Sequence, residues 1–205
     1  MESKEMTTRD SILLAAKNEF LAKGYQATGL REIARKAGVT TGAFYGYFKS
    51  KDEVFDALVG TQYHHMLDMY RSTLNQFAQL PAQEQASSME DYTRKAIRVM
   101  TDYLYDNHDA FKLILCCSEG TGYSDLVHVM AQLDVDATHE FSQTSGQAGM
   151  PLNPVNPMLE HILTSSMFTA YFELIVHDVP RQEAETYIDQ LLLFYSAGWQ
   201  QIMGM

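Results

Sequence analysis

The chain has 205 residues, 46% of them hydrophobic and 20% charged, long enough to bury a core without help from disulfides or metal. Its two cysteines, Cys116 and Cys117, are neighbours. Adjacent residues on a helix point about 100° apart, which excludes a bridge between them in regular structure, and a reducing cytoplasm is the expected setting. Positions 1–8 carry charges and no apolar run, and later apolar stretches are interrupted before spanning length, so neither export nor membrane insertion is expected. The formal net charge of −11 conceals an uneven spread: positions 1–51 hold nine Lys and Arg against five Asp and Glu, and positions 52–205 hold six against twenty-one. A basic head ahead of an acidic body suits a polyanionic partner for the head alone.

In chain order, apolar residues recur at three- and four-residue spacing almost throughout, which predicts an all-α fold. A first helix runs from Thr8 to Lys23 with Thr7 as cap, Ile12, Ala16 and Phe20 as its stripe, and Gly24 as its stop. Thr28 can cap a second helix, in which Leu30, Ile33, Ala34 and Ala37 face inward and Arg31, Glu32, Arg35 and Lys36 face out, before Gly38 ends it. Only Gly38, Val39 and Thr40 separate it from a third helix, Thr41 to Phe48, so the two must cross steeply as a helix-turn-helix. A fourth helix opens on a Ser50/Glu53 capping box and reaches Phe77. The stretch 79–88 reads as a connection. Helices follow over 89–107, 109–117 and 123–142. Gly146, Gly149, Pro151, Pro154 and Pro157 mark 143–157 as a loop, and two long helices, 158–177 and 180–203, close the chain. This order divides the chain into a helix-turn-helix head over 1–50 and a helical body over 51–205, the candidates for a DNA-binding domain and for a ligand-binding and dimerisation domain.

On the third helix Phe44 and Phe48 share a face and belong to the core, while Gly42, Ala43 and Gly46 leave the opposite face small enough for a close backbone approach to a groove. Tyr45 and Tyr47 flank that face with hydroxyls suited to phosphates, and Lys49 and Lys51 add charge beside the amide-rich start of the fourth helix. Thr40, Thr41 and Ala43 are the candidates for base edges, with Thr28 and Arg31 from the preceding helix completing the DNA-facing set. Either threonine can equally serve as a helix cap.

The run from Leu30 to Phe55, together with Phe20, Gly24, Tyr25 and Thr28 upstream and the Tyr-x-Tyr-Phe-x-x-Lys ending, resembles the DNA-binding domain of the tetracycline-repressor (TetR) family over roughly the first quarter of the chain. The resemblance implies phosphate contacts from Tyr45, Tyr47 and Lys51 and base contacts near Thr40 to Ala43. It also implies a homodimer with an α-helical sensing body, usually a repressor released from a palindromic double-stranded DNA operator by a small molecule. Gly46 departs from the larger residues often found there.

In the body, Tyr103, Phe111, Leu115, Cys116, Tyr123, Met130, Met167, Phe168 and Tyr171 form an adaptable aromatic set that could line a pocket for an apolar or aromatic effector, although each also fits ordinary core. The turn from Ser118 to Tyr123 could line or gate such a pocket. Leu113, Ile114 and Leu115 before the cysteines predict that both are buried. The closing helices are apolar over more than one core face, and Leu163, Tyr187, Leu191, Tyr195 and Trp199 are the candidates for a two-fold four-helix interface. No metal-ligand spacing, nucleophile elbow or cofactor motif stands out among seven histidines and many carboxylates, so neither a metal, a cofactor nor an enzyme is expected. The competing reading is a helical enzyme or carrier with an incidental helix-turn-helix, which would require a catalytic constellation in the body.

Overall fold

The computed structural model describes residues 6–205, apart from the side chain of Ala86; residues 1–5 of the expected DNA-binding domain lie outside the described residues. The described residues form α1 (Thr8–Ala27), α2 (Leu30–Lys36), α3 (Thr41–Tyr45), α4 (Lys51–Ala78), α5 (Ala82–Asp106), α6 (His108–Cys117), α7 (Leu126–Gln147), α8 (Pro157–Val176) and α9 (Arg181–Met203), with no strand among them. The all-α expectation is met. The chain divides into two compact units, Met1–His64 with Asn107–Ser124, and His65–Asp106 with Asp125–Met205. The functional boundary expected after Ser50 thus falls inside the first unit, which takes in the start of α4 and all of α6.

In the first unit α1 opens on a reciprocal box: the Asp10 amide donates to the Thr7 hydroxyl at 3.1 Å and the Thr7 amide to the Asp10 carboxylate at 3.2 Å, satisfying two end donors. Ile12, Ala16 and Phe20 are buried as one stripe. Gly24 turns the chain out of the helix with φ +76°, and Tyr25 to Ala27 complete the element. That turn leaves buried carbonyls in need of a donor. Thr28 supplies it, its hydroxyl donating to Gly24 O at 2.8 Å and Glu19 O at 3.2 Å. Thr28 therefore ties off α1 instead of capping the second helix, where Gly29 holds the cap position without a side-chain bond.

The buried Glu19 carboxylate fixes α2 against α1 by accepting Lys23 Nζ at 2.9 Å and, more closely, Lys36 Nζ. The Lys36 bond first, then the Lys23 bond, holds its pKa below the ordinary range. Gly38, at φ +71°, provides the turn between α2 and α3. α3 is shorter than expected: the amides of Tyr47 and Phe48 both return to Phe44 O, at 2.9 and 3.1 Å, and this tight turn sends Phe48 into the core beside Phe44. At α4 the Glu53 amide donates to the Ser50 hydroxyl at 3.1 Å, but the Glu53 carboxylate accepts the Lys49 amide at 2.5 Å instead of that of Ser50. α6 packs along α1, with Lys17 and Asp109 paired at 2.6 Å.

In the second unit the connection expected over 79–88 contracts to Gln79, Leu80 and Pro81. The buried Gln85 explains this, since its amide donates to Ala78 O at 3.1 Å and Leu80 O at 2.8 Å, satisfying the last carbonyls of α4 from inside the next helix. The loop expected over 143–157 shrinks to 148–156. α7 runs through Gly146 to Gln147, and the chain turns away at Gly149, where φ is +81° and Met150 N bonds Ser145 O at 2.9 Å. Asn156 then caps α8 through the amides of Met158 and Leu159, with Pro157 in the first turn, the position where its missing donor costs nothing. α7 packs on α8, α8 on α9, and α5 on both α7 and α9. Arg181 clamps Asp102 and Asp106, each at 2.6 Å, and Arg98 pairs with Glu185 at 2.8 Å. No described helix is long and apolar enough to cross a membrane.

The Glu19 arrangement makes the first unit acid-sensitive. A depressed folded pKa contributes stability that is fully present above the ordinary glutamate pKa of about 4.3 and is lost as pH falls through the folded value. Glu19→Gln should lower the thermal midpoint at pH 7, and the gap to the parent should close on acidification, as thermal unfolding followed between pH 3 and 7 will show. A gap independent of pH would remove the ion pairs from the account.

Candidate nucleic-acid interface

α2 and α3 hang between two anchored helices. Ile33, Ala34, Phe44 and Phe48 are buried, and they leave a continuous outer surface of short side chains: Thr40, Thr41, Gly42, Ala43 and Gly46 are exposed. Thr40 is the α3 cap, its hydroxyl oxygen accepting the Ala43 amide at 3.1 Å. One lone pair is thereby used while the O–H remains available as a donor. A Cβ at Gly42 would approach no heavy atom closer than Thr40 Oγ1 at 3.9 Å, so the fold does not require glycine there. Its value lies in the space it leaves outside. Tyr45 and Tyr47 are 52% and 47% exposed, which leaves both hydroxyls accessible at the edges of that surface, although the Tyr45 ring meets Phe44 edge-on at 5.9 Å.

The basic residues divide into two groups. Lys17, Lys23, Arg35 and Lys36 are spent on Asp109, Glu19, Glu32 and Glu19 respectively. Lys51, expected at a phosphate, points its ammonium at Tyr25 O (2.7 Å) and Thr28 O (3.0 Å) and lies 4.1 Å above the Tyr25 ring. The carbonyls at the end of α1 outcompete solvent for it. Arg9, Arg31 and Lys49 are exposed with no ion-pair partner among the described residues. Arg9 was not singled out from the sequence. Its guanidinium lies 5.3 Å from the centroid of Phe48, which brings a cation from the start of α1 to the α3–α4 turn. Only its charge could have flagged it, because its neighbour there is 39 positions away.

Thr28 is buried, with its hydroxyl occupied. It is the one member of the predicted set that cannot reach a ligand without unfolding the turn that it holds.

The effector set is split between the units. Phe111, Leu115, Cys116 and Tyr123 are in the first; Tyr103, Met130, Met167, Phe168 and Tyr171 are in the second. Phe111, Met130, Phe168 and Tyr171 are buried, and Tyr103, Leu115, Tyr123 and Met167 are half-buried. The Tyr171 hydroxyl meets that of Thr101 at 3.3 Å. Cys117 is buried as expected, but Cys116 is exposed, because successive residues of α6 point about 100° apart. A groove of about 500 Å³ in the second unit is lined by Met69, Tyr92, Val99 and Met100, none of which was predicted. Of the interface candidates, Leu163, Leu191, Tyr195 and Trp199 are half-buried, and the Tyr187 hydroxyl donates to Ala170 O at 2.7 Å. The fully presented apolar groups are instead Met158, Leu159 and Ile162 on α8 and Leu193, Phe194 and Ile202 on α9.

Residues 12–58, spanning α1 to the start of α4, match the profile of bacterial regulatory proteins of the tetR family. The chain is 30% identical over 116 residues to the HTH-type transcriptional regulator YdgC of Bacillus subtilis (strain 168), an alignment covering 55% of each chain. It is 47% identical over 53 residues to the HTH-type transcriptional repressor BepR of Brucella suis biovar 1, covering 26% of this chain and 25% of that one. The chain thus matches about half or less of the length of these curated relatives. The crystal structure of a TetR-family transcriptional regulator from Bordetella parapertussis 12822 shares the fold, with a TM-score of 0.58 at 17% identity over 91% of this chain and 93% of that one.

Lys51→Met provides the test of the carbonyl clamp. Charge-assisted bonds of this kind are worth roughly 1.5–3 kcal/mol, so denaturant unfolding without DNA should show a loss near the lower end of that range. An unchanged midpoint would return Lys51 to the phosphate-facing group.

Proposed function

By its N-terminal DNA-binding domain the chain belongs to the tetR family of bacterial regulatory proteins, and from that premise we propose that it is a homodimeric repressor, released from a palindromic operator when an apolar or aromatic small molecule binds its body. The observation that carries the reading is the outer face of α2 and α3: small residues at Thr41, Gly42 and Ala43, two exposed tyrosines at its edges, and Arg9, Arg31 and Lys49 as uncommitted cations. In this reading Thr41 and Ala43 meet base edges and thymine methyls, while Tyr45, Tyr47, Thr40, Lys49 and Arg9 hold phosphates.

A two-fold operator requires a two-fold protein. The exposed Met158, Leu159, Ile162, Leu193, Phe194 and Ile202 supply a self-complementary apolar surface, with Ala197 and Gly198 exposed on the same helix to allow close approach. Such groups on paired terminal helices are what a four-helix interface buries. The groove beside Met69, Tyr92, Val99 and Met100, which His65, Asp68 and Lys95 also line, supports an effector site in the second unit, since its apolar walls suit an apolar molecule with a polar group. The effector shifts the equilibrium by binding better to the conformation whose heads no longer span successive grooves. The curated relatives are transcriptional regulators, which favours this reading over a helical enzyme or carrier.

Gel-shift competition against DNA upstream of the chain's own gene decides the central point: binding confined to one palindromic segment is expected, and equal affinity for unrelated duplexes would overturn it. Tyr45→Phe should weaken every sequence alike by a few-fold, whereas Thr41→Ala should change the preference among operator variants. With three uncommitted cations per head and a salt slope of about −0.9 per phosphate neutralised, log K should fall against log salt with a slope no steeper than about −5.4 for a dimer. Phe194→Glu should convert the dimer to monomer in light scattering and abolish operator binding.

A further inference from the structure

The first unit contains a cavity of about 450 Å³ that no part of the DNA-binding reading uses. Its walls combine four rings, Phe55, Tyr63, His64 and Tyr123, with three exposed carboxylates, Asp52, Glu53 and Asp56. α4 makes this combination through its period, since positions 52, 56, 60 and 63 fall on one face. At position 60 the sequence has glycine. A Cβ there would lie 3.1 Å from the Tyr123 hydroxyl and 2.6 Å from Asp56 Oδ1, so the absent side chain is what lets Tyr123 lie over the helix and donate to Asp56. Tyr123 is also edge-on to Tyr63 at 5.2 Å and tilted against Phe55 at 5.9 Å, while Asp52 accepts the Tyr25 hydroxyl at 2.5 Å. Burial first, then the bond to Asp56, pushes the Tyr123 phenol up to about 12, which keeps it a neutral donor with an intact ring.

Among the described residues, two neutral phenols are all that Asp52 and Asp56 receive from other side chains, and Glu53 accepts only the Lys49 amide. Among the described residues no lysine or arginine forms an ion pair with any of the three, and the nearby Lys51 is held on the carbonyls of Tyr25 and Thr28. Three negative charges outweigh the partial positive charge of about one half at the start of α4. A small hydrated cation would gain little from the rings, and a neutral aromatic would gain nothing from the carboxylates. A cation carrying its own apolar shell satisfies both, because ring faces within about 6 Å attract it and low hydration makes its transfer cheap. We propose that this cavity binds an organic ammonium ion, quaternary or tertiary, with the cationic carbon shell against Tyr63 and Tyr123 and its charge beside Asp56. The inference goes beyond the DNA-binding reading and does not depend on it.

The test uses the full-length protein without DNA and benzyltrimethylammonium as probe, with benzyl alcohol as the neutral aromatic comparison. NMR titration should give a dissociation constant in the millimolar range or tighter for the cation, and binding at least tenfold weaker for the alcohol. Asp56→Asn should weaken the cation at least tenfold, while Glu140→Gln, a change to an exposed carboxylate on α7, should leave it unaltered. A photoactivatable diazirine derivative of the same ammonium locates the site without any variant, and should label peptides covering 52–64 and 121–123. Equal affinity for cation and alcohol, full binding by a folded Asp56→Asn protein, or labelling confined to other peptides would each overturn the proposal.

Discussion

The Tyr25 ring is the junction on which the DNA-binding unit depends. It stacks on Phe20 of α1 at 5.8 Å and meets Phe55 of α4 edge-on at 5.3 Å; its hydroxyl reaches Asp52, and Lys51 lies over its face. One side chain thus joins the end of α1 to the start of α4 by apolar, hydrogen-bonding and cation–π contacts together. α2 and α3 are too short to hold an orientation alone, since isolated helices of this length are unstable in water. They inherit it from the two helices that Tyr25 clamps, and from Glu19, which pins Lys36 of α2 back to α1. The left-handed turn at Gly24 is what places the ring there, and a residue with a Cβ would be strained at φ +76°.

The same economy explains how a basic segment carries so few charges for a polyanion. Most of the cations in α1, α2 and the start of α4 neutralise carboxylates or end carbonyls, and the fold consumes them before any ligand arrives. On the proposed reading, tyrosine hydroxyls and threonine donors do much of the positioning. Such bonds are directional, so they fix register more than they add sequence-independent attraction. The small outer face of α3 fits this division, because a backbone that approaches closely places short donors where long side chains would be needed otherwise.

Much of this was legible in the sequence because it is local. The Thr7 cap, the Gly24 and Gly38 stops, the Phe44/Phe48 face and the short α2–α3 turn all depend on spacing within a few residues, which the helical period encodes. What spacing does not encode has a different cause. Thr28 and Lys51 were assigned outward roles, yet each answers carbonyls exposed by a turn that only the folded backbone reveals. Gln85 and Gly146 misled for a related reason: polar and glycine-containing segments read as loops, but Gln85 caps the preceding helix and α7 tolerates Gly146 in its last turn. Aromatic and methionine side chains at helical spacing look alike whether they fill a core or line a groove, so spacing does not separate the buried Phe168 and Tyr171 from the half-buried Tyr103 and Met167.

The second unit meets a different constraint, which is to hold a broad apolar stripe outward without collapsing onto it. Buried polar contacts supply that control. Tyr70 donates to Asp134, whose carboxyl is raised by desolvation and by the nearby Glu160 even though the Tyr70 bond acts in the opposite sense. Glu160 itself, nearly buried, meets His139 at 2.9 Å. A helix rotation that turned Leu159 or Ile162 inward would carry Glu160 outward and break its contact with His139. The Glu160–His139 contact thus goes with the register in which Met158, Leu159 and Ile162 of α8 face solvent, the surface that the proposed reading assigns to a second copy of the chain.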